Sequence, residues 1–337
     1  MSNLVSLDEI QAAAKRLSGV ALRTPLVPLR IGPDRTGAAT VLVKAESLQP
    51  TGAFKLRGAY AAISALPAEQ GRRGVVTHSS GNHGHAVAYA AAALGVSATV
   101  VVPNNAPAVK VEAARSYGAT IVTCEPNLAA RTRAVAELIA AHGYTPIPPF
   151  DDRHVIAGQG TVGLEITADY PEVDLVVVPV GGGGLLSGIA TAIKSAHPAA
   201  KVIGAEPAYA ADARDSFRSG RRVAWQASET VRTIADALRV EEIGELPMEH
   251  FRAYVDDIVT VSDEEIMAAM RHLATGARLV AEPAGAVATA AFMFRSGQLP
   301  SAEHPVVILS GGNVDPRQLG QVLNPQTASD LLAPVSR

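Results

Sequence analysis

The chain has 337 residues, 48% of them hydrophobic, enough for one large core or two medium ones. Its 29 basic and 32 acidic residues leave a formal net charge of -3, which excludes an extended field for holding nucleic acid or an anionic membrane, so the expected ligand is small. The single cysteine, Cys124, cannot close an internal disulfide, and the opening MSNLVSLDEI lacks the basic start and long apolar run of a secretory signal; a cytoplasmic location is expected.

Ser6 followed by Glu9 is a capping box, which with Gly19 predicts a helix over 7–18. Beyond it, short β-branched runs alternate with alanine-rich segments. Strands are predicted at 41–44, 74–77, 98–102, 119–123, 174–180, 201–205, 257–261 and 306–309, and helices near 54–65, 83–94, 107–117, 128–141, 159–169, 185–196, 263–275 and 284–295. The apolar stretch 86–102 contains Gly95, Ser97 and Thr99 and stops at Pro103, so it divides into helix and strand and requires no membrane span. Runs apolar at every position, such as VVVPV at 176–180, suit strands covered on both faces, and the predicted fold class is α/β with open parallel sheets between helices. Residues 143–153 (GYTPIPPFDDR) carry three prolines and no helical period and read as a crossing between two lobes. A small lobe of about 66–150 is expected, inserted into a large one made of 1–65 and 151–337.

Open parallel sheets bind ligands at the carboxyl ends of their strands, and four loops there have unusual chemistry. After strand 174–180 comes Gly181-Gly182-Gly183-Gly184, whose N–H groups can converge on one anion at a helix start. A flexible turn is the alternative, but four glycines between a buried strand and a helix are poor for stability, which favours the anion. A dinucleotide site with Glu206 as its ribose acid is a further alternative, but no register of GGGGLLSG places glycine at all three positions of G-x-G-x-x-G. After strand 74–77, Ser79-Ser80-Gly81-Asn82-His83-Gly84-His85 combines hydroxyls, an amide and a helix start; it suits a carboxylate and a phenolic oxygen, or is simply a polar helix cap. After strand 41–44, Lys55 follows Phe54 in TGAFKLRG, where partial burial favours the neutral amine, although most lysines are solvated. Ser310-Gly311-Gly312-Asn313 follows the strand 306–309.

Together these loops resemble the serine/threonine dehydratase and serine racemase family of pyridoxal 5'-phosphate (PLP) enzymes, with the tryptophan-synthase-β-like fold. The matching stretches are ESLQPTGAFKLRGA at 46–59, SSGNHGHA at 79–86, IAGQGT at 156–161, VPVGGGGLLSG at 178–188, TIAD at 233–236 and LSGGNVD at 309–315, in the family's order and across most of the chain. The resemblance implies Lys55 as the lysine that carries PLP, Phe54 against its ring, Asn82 on its 3'-oxygen, Gly181 to Gly184 on its phosphate and Ser310 beside its pyridine nitrogen. It implies Ser79, Ser80 and His83 at the substrate. The implied reaction is dehydration and deamination of a small β-hydroxy amino acid such as L-serine or L-threonine to a 2-oxo acid and ammonia.

Within the family, a serine at the position of Ser80 and an arginine matching Arg131 belong to the racemase branch. PFDD at 149–152 is the dehydratase-like form, and Ala237 stands where a glycine often faces the PLP ring, so dehydration with side racemisation is the preferred expectation. Serine or hydroxyaspartate racemisation as the main activity is the alternative, and a non-catalytic PLP carrier and sulfide-dependent β-replacement rank below it. In GAEPAYAAD, Glu206, the Ala210 carbonyl and Asp212 match the family's site for Mg2+, Mn2+ or Ca2+, an all-oxygen set suited to a hard cation. Without the family, two acids six residues apart would read as a solvated loop. The clustered His78, His83 and His85 read as structural groups. A homodimer is the family expectation, and isoleucine feedback is not expected.

Overall fold

A computed structural model describes residues 4–31, 40–106 and 108–324 of the chain. The capping box forms as read: the Glu9 carboxylate accepts from Ser6 N at 2.8 Å, Ser6 Oγ accepts from Glu9 N, and the helix Leu7–Leu17 buries Ile10, Ala13 and Leu17.

Among the described residues the strands are β1 (Leu26–Arg30), β2 (Thr40–Ala45), β3 (Val75–His78), β4 (Ala98–Pro103), β5 (Thr120–Cys124), β6 (Thr145–Pro146), β7 (Leu175–Pro179), β8 (Lys201–Pro207), β9 (Asp257–Val261) and β10 (Pro305–Leu309). They form a six-stranded sheet ordered β1-β2-β10-β7-β8-β9 and a four-stranded sheet ordered β5-β4-β3-β6. Every pairing is parallel except β1 with β2. All five residues of β7 and of β10 are buried, because both faces of the large sheet are covered. Val177 and Val307 pack with the helices Asp263–His272 and Pro283–Phe294, whereas Val176, Val178, Val306 and Ile308 pack with Arg153–Asp169 and Gly184–Ala196. Alternate residues thus feed opposite layers, and each fully buried valine or leucine stabilises the fold by about 1.5–3 kcal/mol. Among the described residues no helix is long and apolar enough to cross a membrane.

Some elements depart from the sequence reading. β1 contains Pro28 and forms an edge strand, where a missing N–H costs the ladder nothing. The helix predicted from 159 begins at Arg153, capped by the Asp152 side chain on Val155 N at 2.9 Å. Its glycines, which read as helix-breaking, serve close packing: a Cβ on Gly158 would stand 2.4 Å from Arg57 O, and one on Gly188 of the facing helix 2.4 Å from Gly160 N. Short helices at Ala68–Arg73, Asp212–Ser219, Glu245–Tyr254 and Pro316–Leu323 were not predicted.

A buried ionic cluster ties the two layers beneath the lysine loop. Arg57 donates from Nε to Glu46 Oε2 at 2.8 Å and from Nη1 to Glu165 Oε1 at 2.7 Å, and Lys44 Nζ donates to Glu165 Oε2 at 2.6 Å. Lys44 and Glu46 are fully buried and Arg57 nearly so. Burial pushes the Glu46 carboxyl up, but the adjacent Arg57 outweighs this and holds it below its ordinary value. The helix Lys55–Ser64 is anchored by this cluster to Arg153–Asp169, and Gly58 N adds a bond to Gln159 Oε1 at 3.2 Å.

Candidate active site

The loops after β2, β3, β7 and β10 line one cavity of about 1610 Å3. Lys55 is the first residue of its helix and half-buried; its Nζ donates to Pro149 O at 2.7 Å and lies 5.1 Å from the centre of the Phe54 ring. Burial lowers its ammonium to about 8, since a low-dielectric setting penalises the charged form.

After β3 the chain passes through Ser79 and Ser80 into the helix Asn82–Leu94. Both serines are half-buried and line the cavity, and Ser79 Oγ accepts from Gly81 N at 3.2 Å. His83 is buried with Nε2 2.9 Å from Ile147 O; a carbonyl only accepts, so Nε2 carries the proton. Burial, then the Lys55 charge, lower its pKa to about 3, and His83 is neutral.

The tetraglycine joins β7 to the helix Gly184–Ala196. Gly183 has φ +95°, in the left-handed region, and a Cβ on Gly182 would stand 2.1 Å from Phe150 Cδ1. Side chains are therefore excluded from this turn by backbone conformation and by the ring packed on it. Among the described residues none of the four N–H groups donates a hydrogen bond. Consecutive unsatisfied donors at a helix start fit a phosphate.

Ser310, 4% exposed, closes the set: its carbonyl accepts from Phe54 N at 3.0 Å, and Gly312 N donates to Gly52 O at 2.9 Å. Two residues to which the sequence reading gave no role complete this corner. Asn313 Nδ2 donates to Asn82 Oδ1 at 2.8 Å, and Asn82 Nδ2 donates to the buried Glu282 Oε1 at 2.6 Å. Glu282 sits just before Pro283 at a helix start, a position whose ordinary explanation is a cap.

Arg131, half-buried on the helix Leu128–His142, lines the same cavity, as does Ala237. Glu206, Ala210 and Asp212 do not line it; they lie at the end of β8 and the start of the helix Asp212–Ser219. Glu206 accepts from Ala213 N at 3.1 Å and Arg214 N at 2.8 Å. Both carboxylate oxygens of Asp212 are buried without a well-formed hydrogen bond, although its own N–H and that of Ile243 lie near enough to act on it. Burial raises Asp212 to about 7, and burial followed by the Asp212 charge raises Glu206 well above its ordinary value. Among the described residues no three His, Cys, Asp or Glu side chains converge as a metal site; this pair supplies two.

The family model for pyridoxal-phosphate dependent enzymes matches residues 17–311. The L-threonine ammonia-lyase of Thermotoga maritima is 40% identical over 322 residues, covering 95% of this chain and 79% of that protein. The L-threo-3-hydroxyaspartate ammonia-lyase of Saccharomyces cerevisiae is 40% identical over 316 residues, 94% of this chain and 95% of that one. The crystal structure of serine racemase from Dictyostelium discoideum superposes with a TM-score of 0.87 at 38% identity, covering 93% of this chain and 100% of that one. With the family model spanning most of its length and the parallel sheets, cavity and strand-end loops in place, the chain belongs to the pyridoxal-phosphate dependent enzymes, in their tryptophan-synthase-β-like fold.

Proposed function

We propose that the chain converts a small β-hydroxy amino acid, such as L-threonine or L-serine, into a 2-oxo acid and ammonia, with racemisation at Cα as a side activity. The observation that carries this reading is the Lys55 amine, held close to its neutral form in the same cavity as the unsatisfied N–H groups of Gly181 to Gly184. The names of the Thermotoga and yeast relatives support it.

When bound, PLP supplies an electron sink that acidifies the α-proton of the attached amino acid. Lys55 would hold it through its amine, Gly181 to Gly184 its phosphate, Asn82 its phenolic oxygen, Ser310 its pyridine nitrogen and Phe54 its ring. Lys55, with a pKa near 8, is poised to accept the α-proton on Nζ at neutral to mildly alkaline pH. The Ser310 hydroxyl is neutral and cannot fix a positive charge on a ring nitrogen as a carboxylate would, which favours prompt loss of the β-hydroxyl. The N-terminus of Asn82–Leu94, with Ser79 and Ser80, suits the substrate carboxylate. His83, neutral, offers Nδ1 as an acceptor. Arg131 adds a cation for the same or a second carboxylate.

Racemisation stays a second reading because Ser80 lines the cavity with Lys55 and supplies a second hydroxyl able to move a proton. The deciding experiment incubates the protein with PLP, Mg2+ and L-serine, L-threonine or L-threo-3-hydroxyaspartate, following 2-oxo acid and the opposite enantiomer together. The expected result is 2-oxo acid in excess. Excess opposite enantiomer makes racemisation the main activity, and no product from any of the three sinks both.

A divalent cation (Mg2+, Mn2+ or Ca2+) belongs to this reading, held by Glu206, Asp212 and the Ala210 carbonyl. Two buried carboxylates, one with unsatisfied oxygens, fit a hard ion that compensates their charge. The four-stranded sheet lies within 75–146, which supports a small lobe over 66–150 that closes on substrate. A homodimer in the cytoplasm completes the proposal; light scattering tests the former.

A further inference from the structure

We infer that Asn313 is a positioning residue that dictates which end of the Asn82 amide is available to the cofactor. A side-chain amide can be turned end for end without covalent cost, so a donor in place of an acceptor has to be selected by neighbours. Here the selection starts from the backbone. The Thr51 carbonyl can only accept, and Asn313 Nδ2 donates to it at 2.8 Å. The same nitrogen donates its other N–H to Asn82 at 2.8 Å, so the Asn82 atom it meets is the oxygen. The nitrogen of Asn82 therefore faces away, toward Glu282 Oε1 at 2.6 Å, and one N–H remains for the cavity that Asn82 lines.

Asn313 is exposed, but its seat is shaped by its neighbours. Gly52 has φ +73°, and a Cβ there would stand 2.2 Å from Asn313 Oδ1. The bond from Gly312 N to Gly52 O fixes the two loops against each other. Glu282, buried at 5% exposure, receives the nitrogen end of Asn82 and would repel its oxygen.

This inference rests on the PLP reading: the remaining Asn82 N–H favours an ionised phenolic oxygen, whereas a reversed amide would present a carbonyl and favour the protonated phenol. Asn313→Asp keeps the size of the side chain and replaces its donor by an acceptor. It is expected to weaken PLP binding about tenfold, on the order of one hydrogen bond to a charged acceptor, and to move bound PLP toward its shorter-wavelength, protonated absorption band. The double variant Asn82→Ala/Asn313→Asp is expected to bind PLP no more weakly than Asn82→Ala alone, because Asn313 acts through Asn82. The thermal midpoint of the PLP-free chain separates these effects from a folding defect. Should Asn313→Asp fail to fold, Asn313→Ala is read in the same way. An unchanged band balance and affinity, or losses that multiply in the double variant, would overturn the inference. A native chain that binds no PLP overturns the functional reading with it, whereas a native chain that binds PLP beside unaltered variants overturns this inference alone.

Discussion

Lys55 gives the clearest pH signature at the scale of single residues. Its pKa is depressed from 10.5 to about 8, so the PLP-free chain holds the amine protonated below about 8 and neutral above. The rate at which this chain captures PLP covalently is expected to rise through that pH and level off beyond it; a flat profile from pH 6 to 10 in stopped-flow absorbance would contradict the shift. Asp212 makes the opposite kind of test. Its carboxylate is buried without a well-formed bond, so Asp212→Asn removes a penalised charge. In the presence of chelator the variant is expected to melt at or above the native midpoint, and with excess Mg2+ or Ca2+ below it; calorimetry in both conditions shows whether the order reverses. The candidate residues Lys55, Ser80, Asn82, Gly181 and Ser310 could be picked out in the sequence because each stands in a short loop of unusual composition after a β-branched run. Glu282 and Asn313 could not be given roles, since these depend on partners 200 and 231 residues away.

At the scale of elements, the turn between β7 and its helix is set by the ring packed on it. In Gly182→Ala the new methyl would have to displace Phe150, and overpacking of this kind costs about 1–3 kcal/mol. Urea unfolding is expected to show that loss together with weaker PLP binding, as the four N–H groups are pulled out of register. The strand–loop–helix alternation was legible because parallel strands and their helices have different hydrophobic periods. The start of Arg153–Asp169 was not: prolines precede it, and Gly158, Gly160 and Gly163 within it look like breakers. Those glycines are there for close contact with neighbouring helices, which local propensity does not encode. The unpredicted helices are short, and three of them, Ala68–Arg73, Asp212–Ser219 and Pro316–Leu323, have six to eight residues, too few for a strong periodic signal.

At the scale of the whole molecule, the buried cluster of Arg57, Glu46, Glu165 and Lys44 joins β2, the lysine helix and Arg153–Asp169. Arg57→Met is expected to cost about 3–5 kcal/mol, because it leaves two carboxylates with one cation between them. Equilibrium denaturation measures this as a lower midpoint at unchanged slope; a loss below 1 kcal/mol would mean that water reaches the cluster. The fold class was legible from the all-apolar runs, but the order of strands was not, since periodicity states that a strand is buried and not which neighbours bury it.

That order bears on how the molecule is made. β10, residues 305–309, inserts between β2 at 40–45 and β7 at 175–179, whereas the four-stranded sheet draws only on 75–146. A growing polypeptide can complete the small sheet from contiguous chain, but the large one stays open along its middle until β10 leaves the ribosome. Until then β2 and β7 expose unpaired edges to chaperones and to other chains, and the lysine and glycine loops have no common frame. Closing a loop of that span is slow, so cofactor capture is a late event of biosynthesis, and newly made chains are most prone to aggregate just before it.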